Sequence, residues 1–455
     1  MNPEFQRYMW LELTPHRLLA APLLLSAFFS VVYMINSNDA SWSLAIAGYW
    51  ITIGLGVLWG ARNASEAVIG EVREGTWDQQ RLSCLGPWAM TWGKLFGAPV
   101  FIWYSCLPAL ALILLGATLR WGLSDAVGHL LLLIAVLVFA HAMGLLLSLQ
   151  RVEQSTMTAG RSMVGVHLLG LVAGALLVGP AYSAFVEGWG EPVRWFAIPI
   201  SQQWFTYLST ASLVVWTVIG CYRLMRTELQ MRNAPWVWIT FVMYCMTYAA
   251  GLVWTNKAVA VQIGLGAQIT PVASAALAAY FVAMALAAMM LFIEPKDPVE
   301  FRRLFGSFQQ RRWQVVMQSI PRWLCVLPIA IVMIWVVLSL DPVHGIFCAS
   351  IMAFFARDAG IVVLLNMSAN RRRADGAAML YLLVLYGLLP TIIYSASGVS
   401  VDAWLFPAVN KSVLVAVAPA VLQAVLVWAL VTKRWHALGR TVLGPLGSGA
   451  PPAPC

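Results

Sequence analysis

Twelve apolar runs, each about the length of a bilayer-crossing helix, dominate this chain of 455 residues. They fall at roughly 18–35, 44–60, 95–117, 128–149, 163–185, 206–222, 236–254, 272–293, 323–340, 345–366, 377–394 and 412–431. A helix needs about 20 mostly apolar residues to cross the hydrocarbon core, where each backbone polar group must find its partner inside the segment. Twelve crossings consume about 240 residues, a little over half the chain. Only 10% of residues are charged, against about 25% in a soluble domain. The alternating ten-residue segments of a membrane barrel are absent. The sequence therefore predicts an all-α, polytopic helical membrane protein of about twelve transmembrane helices.

The net charge of +9 comes from 28 basic against 19 acidic residues. The basic residues punctuate apolar runs instead of clustering on one soluble face, which excludes nucleic acid as a partner and makes the lipid bilayer the expected one. With the N-terminus inside, the inner segments carry 23 Lys and Arg, while the outer ones carry Arg120, Arg194, Lys257 and Lys411. That bias predicts twelve spans with both termini cytoplasmic. Asn2-Pro3-Glu4 reads as a helix start, with a capping Asn, Pro in the first turn and an acid at the positive end of the dipole. Phe5, Met9 and Leu13 form an apolar stripe, so residues 1–17 are expected to hold a cytoplasmic interfacial helix and not a cleavable signal. The seven cysteines are scattered singly and read as small core hydrophobes, with neither disulfides nor metal expected.

The two halves repeat. Trp103 with Leu107-Pro108 recurs as Trp323 with Leu327-Pro328. Phe139-Ala140-His141-Ala142-Met143-Gly144 matches Phe355-Ala356-Arg357-Asp358-Ala359-Gly360 at a shift of 216 residues, which also carries Gly160 to Gly376 and Met163 to Met379. Tyr182-Ser183-Ala184, Trp195 and Pro199 return as Tyr394-Ser395-Ala396, Trp404 and Pro407. This order predicts a parallel 6+6 repeat. The first six-span repeat is 18–222 with a loop at 61–94. A cytoplasmic linker at 223–235, a second repeat at 236–431 and a cytoplasmic tail at 432–455 follow, the Gly- and Pro-rich 444–455 being expected to be disordered.

The loop between the second and third runs reads Glu71-Val72-Arg73-Glu74-Gly75-Thr76-Trp77-Asp78, then Leu82-Ser83-Cys84-Leu85-Gly86-Pro87, then Gly93-Lys94. Thr76 followed by Gln79 has the spacing of a capping box, and Gly86-Pro87 is a stop signal, so a short helix is expected over 77–85. A second amphipathic piece, 88–94, should lead into the third span.

This loop resembles the signature of type-two ABC exporter permeases: an acidic-basic-acidic cluster, Gly-Thr, an apolar residue and an acid, then Leu-x-x-Leu and Gly-Lys. Glu71, Arg73, Glu74, Gly75, Thr76, Trp77, Asp78, Leu82, Leu85, Gly93 and Lys94 fall on the pattern; Cys84 and Gly86 depart from it. The resemblance covers residues 1–232. It implies a type V exporter-like permease fold in a prokaryotic cytoplasmic (inner) membrane, a coupling loop that docks a separate ABC ATPase, and short re-entrant helices in the outer segment 186–205. In the second half, the equivalent loop at 294–322 has Glu300-Phe301-Arg302-Arg303 but no Gly-Thr. The duplication implies a fused permease pair, a monomer carrying two ATPase subunits being the favoured assembly and a homodimer the alternative if the halves do not complete a pore.

No phosphate-loop motif, His-Glu-x-x-His or Gly-x-Ser-x-Gly occurs. The chain is therefore expected not to be an enzyme and to bind no cofactor itself, ATP and Mg²⁺ belonging to the partner ATPase. Arg357 and Asp358 stand within the tenth run, where burying charge is costly, and His141 holds the repeat-equivalent place. These three form a candidate intramembrane polar site, either a pathway element or interhelical glue. Neighbours on a helix point about 100° apart, so at least one of Arg357 and Asp358 should meet another helix. The leading expectation is a permease moving a hydrophobic or amphiphilic substrate. The alternative is an ion- or proton-coupled secondary transporter; a polytopic membrane enzyme would need a cluster of acids or histidines at one face, and none is present.

Overall fold

The computed structural model describes residues 2–155, 177–254, 270–367, 374–397, 402–407, 409 and 412–442. The chain divides into two compact units, residues 1–193 with 199–233 and residues 194–198 with 234–455. Among the described residues, eleven helices are long and apolar enough to cross a membrane. They coincide with eleven of the twelve expected runs. The other, 163–185, lies mostly outside the described residues, of which 177–187 is helical. The tail 444–455 and the repeat positions Gly160 and Met163 also lie outside them.

In the first unit, α1 (Pro3–Glu12) precedes the apolar α2 (Pro15–Ile35). The second crossing joins α3 (Ala40–Thr52), a π-helical stretch (Ile53–Trp59) and α4 (Gly60–Arg73). Then come α5 (Trp77–Arg81), α6 (Pro87–Gly97), α7 (Val100–Trp121), α8 (Leu123–Ser155) and α9 (Gln202–Glu228). The core is built from Ala45, Tyr49, Val57, Ile113, Leu133, Leu137 and Phe185, with the Tyr49 and Phe185 rings stacked at 5.0 Å. The segment expected to hold re-entrant helices instead carries a hairpin of two short strands, Val193–Trp195 and Ile198–Ile200, of which residues 194–198 are grouped with the second unit. Its tip residues Phe196 and Ala197 both take positive φ, the backbone twist that tight hairpin turns require.

The second unit comprises α10 (Trp236–Val253), α11 (Pro271–Ile293), α12 (Pro298–Gln309), α13 (Trp313–Ser319), α14 (Arg322–Leu340) and α15 (Pro342–Asn366). After α16 (Ala374–Leu383), a π stretch (Val384–Leu388) and α17 (Leu389–Ser397) complete one crossing. The short α18 (Asp402–Leu405) precedes α19 (Val413–Val442). Alanines at 276, 279, 283 and 287 line α11 and bring it close to its neighbours, with Tyr280 donating to the Cys348 carbonyl at 2.6 Å. Small residues do this in membranes because close backbone approach maximises van der Waals contact. Cap-then-proline starts recur in both units: Asn2-Pro3, Thr270-Pro271, Asp297-Pro298 and Asp341-Pro342, each cap side chain accepting an N–H of the first turn.

Candidate functional site

The loop residues singled out above gather around one buried ammonium. Lys94, on α6, is fully buried, and its Nζ donates to Glu4 Oε1 at 2.9 Å, to Gln80 Oε1 at 2.9 Å and to Glu71 Oε2. Arg7 adds the second positive charge, donating to Glu4 Oε1 at 2.8 Å and to Glu71 Oε1. The Tyr8 hydroxyl donates to the Glu71 carboxylate at 3.3 Å. Two carboxylates and two cations make a neutral quartet, the composition that lets charge be buried at tolerable cost. Three elements meet in it: α1 supplies Glu4 and Arg7, the end of α4 supplies Glu71, and α6 supplies Lys94.

The local sequence explains how these elements come so close. Gly93 and Gly97 are one turn apart on α6, and a Cβ added at either would stand 2.6 Å from Glu4 Cβ or 2.8 Å from the Tyr8 ring. Glu4 and Tyr8, also one turn apart, lie in the groove those glycines leave. The buried face of α1 is thus Glu4 and Tyr8, while Phe5 and Met9 of the expected apolar stripe are only half-buried.

Gly75-Thr76 does a different job from the one its spacing suggests. Gly75 takes φ +72°, its N–H donates to the Val72 carbonyl at 3.3 Å, and the Thr76 N–H donates to the Glu71 carbonyl at 2.9 Å. That paired pattern is the Schellman ending of a helix, with glycine at the left-handed position. The Thr76 hydroxyl also bonds back to Glu71 O at 3.3 Å, and no side chain caps α5. The expected capping box is therefore not formed; the pair terminates α4. The loop helix is correspondingly shorter than 77–85, and Gly86-Pro87 starts α6 where a stop was expected, because Pro87 has the fixed φ of a first-turn residue.

Trp77 and Gln80 tie α5 to the quartet, the buried Trp77 ring lying 5.3 Å from Lys94 Nζ. The expected site residues so fall into two sets. Glu71, Trp77, Gly93 and Lys94 are buried, Thr76 and Leu85 are half-buried, and Arg73, Glu74, Gly75, Asp78 and Leu82 face outward. Leu82 is 87% exposed on a turn with no apolar neighbour covering it. Sequence reasoning missed Arg7, Tyr8 and Gln80, and took Glu4 only for a helix-start residue. The available signal was the Glu4/Tyr8 spacing, which puts an acid and a phenol on one helical face opposite two glycines at the same spacing.

Burial alone would raise the Glu4 pKa, but the Arg7 hydrogen bond and the Lys94 and Arg7 charges outweigh it and hold the carboxyl below its ordinary 4.5. Burial, then the neighbouring Glu71 charge, push the Tyr8 phenol well above its ordinary 10.0. A depressed carboxyl contributes stability above its unfolded pKa and loses it as pH falls through the folded value. A raised phenol contributes fully below its unfolded pKa and loses that contribution as pH climbs through the folded value. The attachment of α1 is therefore expected to be firmest between pH 4.5 and 10.0. In unfolding midpoints measured against pH, Glu4→Gln should shrink the acid limb and Tyr8→Phe the alkaline limb; limbs unchanged in both variants would refute this account.

The remaining site residues lie in separate units. His141, in α8, donates one hydrogen bond through Nε2 to the Gly56 carbonyl of the π stretch at 2.8 Å, its ring edge-on to Trp103. Arg357 is buried in the second unit, with Nε 2.8 Å from Asp358 Oδ1 and Nη1 2.8 Å from Gln423 Oε1 and 3.2 Å from Leu405 O. Tyr386, in the second π stretch, donates to Asp358 Oδ2 at 2.6 Å. Both charged residues meet other elements, as their angular separation predicts, and they also pair with each other. Among the described residues, no group of three or more His, Cys, Asp or Glu side chains is placed to hold a metal. No protein-family model matches the chain, and no curated protein or solved structure does either.

Proposed function

We propose that this chain is the membrane-spanning permease subunit of an ATP-binding-cassette exporter, moving a hydrophobic or amphiphilic substrate with ATP hydrolysed by a separate cytoplasmic ATPase. The observation that carries the reading is the two-sided construction of loop 61–94. Its inner face is locked to α1 and α6 by the Glu4–Arg7–Glu71–Lys94 quartet, while Glu74, Asp78 and Leu82 face outward. A push on the outer face passes through Trp77 and Gln80 to Lys94, three residues before α6 ends at Gly97 and six before α7 begins at Val100. A rigid buried link of this kind transmits displacement where a solvated loop would absorb it. The charge bias of the loops supports cytoplasmic termini in a prokaryotic inner membrane, and the ordered matches between halves support a 6+6 repeat.

The test is whether an ABC ATPase is encoded beside this gene and, with such an ATPase, reconstitution of the pair. Glu74→Ala is expected to weaken ATPase docking, and Gly75→Pro to abolish stimulation, since proline cannot take the positive φ that ends α4. Wild-type stimulation in both variants would overturn the coupling assignment. The second reading, an ion-coupled carrier, draws on the buried Arg357–Asp358–Tyr386–Gln423 network; transport by the purified chain in vesicles under an ion gradient, with no ATPase present, would establish it instead.

A further inference from the structure

In the second unit, the segment between α11 and α14 is, on the proposed 6+6 repeat, the counterpart of the ion-locked loop of the first. Its ends are pinned together, the Glu294 carboxylate accepting the Arg322 N–H at 2.9 and 3.0 Å. Between them, α12 places Phe301, Leu304, Phe305 and Phe308 at i, i+3, i+4 and i+7, and α13 with the residue that follows it repeats the spacing in Trp313, Val316, Met317 and Ile320. These stripes are covered by protein only in part: Val316 is buried and Phe301, Leu304 and Ile320 are half-buried, while Phe305 is 58%, Phe308 53% and Trp313 57% exposed, with the Phe308 and Trp313 rings edge-to-face at 5.5 Å. Arg311 and Arg312 sit between the stripes, exposed, and with no carboxylate partner among the described residues. Arg302 is engaged otherwise, its guanidinium 5.3 Å from the Trp435 ring.

The backbone adds an independent observation. Arg311 closes α12 with φ +54°, its N–H on the Phe308 carbonyl and the Arg312 N–H on the Ser307 carbonyl. This is the same helix ending that Gly75 makes in the first unit, at a position where glycine is the low-cost residue. An arginine held there keeps a positive charge at a conformational cost, and such outliers point to function.

We propose that α12 and α13 form a hairpin lying in the membrane interface that binds anionic lipid headgroups through Arg311 and Arg312, instead of serving as a second ATPase dock. The attachment to two spans, with α12 beginning five residues beyond the end of α11 and α13 ending three before α14, holds the hairpin at bilayer depth, and exposed aromatics flanked by arginines suit that boundary. Negative lipid supplies the counter-charge the protein does not. Each arginine near an anionic surface favours it about fivefold, so two give roughly a 25-fold bias.

The experiment is hydrogen exchange of residues 298–319 in the full-length protein, in nanodiscs of phosphatidylcholine with or without phosphatidylglycerol. Exchange is expected to slow about tenfold or more with the anionic lipid, and the difference should vanish in the R311G/R312Q variant. That variant relieves the left-handed backbone position, so loss of folding does not explain its loss of lipid response. Equal exchange in the two lipids overturns the proposal, as does a lipid response retained in R311G/R312Q. Protection that arises in neutral nanodiscs on adding the ATPase overturns it as well, and would make this segment a second dock.

Discussion

Replacing Lys94 by methionine is expected to destabilise the first unit by about 3–5 kcal/mol, the cost typical of stripping one partner from a buried ion pair. Lys94 has no exposed surface, and its ammonium is the hub for Glu4, Glu71 and Gln80. Without it, two carboxylates share the single charge of Arg7, whose side chain is 38% exposed and so partly screened by water. Much of the expected loss is therefore the penalty of stranding charge, and only part is the attraction removed. That distinction has a consequence. The double variant Lys94→Met/Glu4→Gln leaves a neutral Arg7–Glu71 pair, and it should be more stable than Lys94→Met alone. Thermal unfolding in detergent, together with protease sensitivity of residues 3–12, reads both effects. Additive losses in the double variant would show that the quartet does not act as one unit.

The spans were legible because burial in a bilayer imposes a length and composition that no tertiary context overrides, so eleven runs coincide with eleven long helices. The loop was legible as a special place, since it holds most of the acids in the first unit's early half, but its wiring was not. Gly75-Thr76 followed by Gln79 satisfies the rule for a helix start, and Gly75 at the left-handed position satisfies the rule for a helix end; local pattern does not choose between them. The choice is made by Glu71, whose carbonyl accepts from both the Thr76 N–H and hydroxyl while its carboxylate is held by Lys94. The partners of Lys94 are 90, 23 and 14 residues away in sequence, and only the last two share the loop. A pairing that depends on α1 folding back into the Gly93/Gly97 groove carries no short-range sequence signal. The hairpin at 193–200 was missed for a related reason, because its tip lacks the Asn-Gly or Asp-Gly pair that marks such turns.

Asp358→Asn is expected to destabilise the second unit by a similar amount, about 3–5 kcal/mol. The carboxylate is the only counter-ion of Arg357 among the described residues, with Nη2 2.8 Å from Asp358 Oδ1. A guanidinium cannot discharge by losing its proton. In the variant, a full positive charge stays buried, with the Gln423 and Leu405 oxygens and the faces of Phe354 and Tyr386 as its remaining neighbours. Those groups spread the charge without neutralising it. Removing both charges together, as Arg357→Met/Asp358→Asn, should recover most of the loss, because methionine fills the volume and brings no charge. The Tyr386 hydroxyl keeps an acceptor in the asparagine oxygen in either variant, so the π stretch need not rearrange. Unfolding of each variant in lipid nanodiscs distinguishes the cases. If Asp358→Asn unfolds with the wild type, Arg357 must draw its counter-charge from elsewhere. If the double variant is no better than the single one, then the bonds of Arg357 to Gln423 and Leu405, and not the charge balance, hold α15, α18 and α19 together.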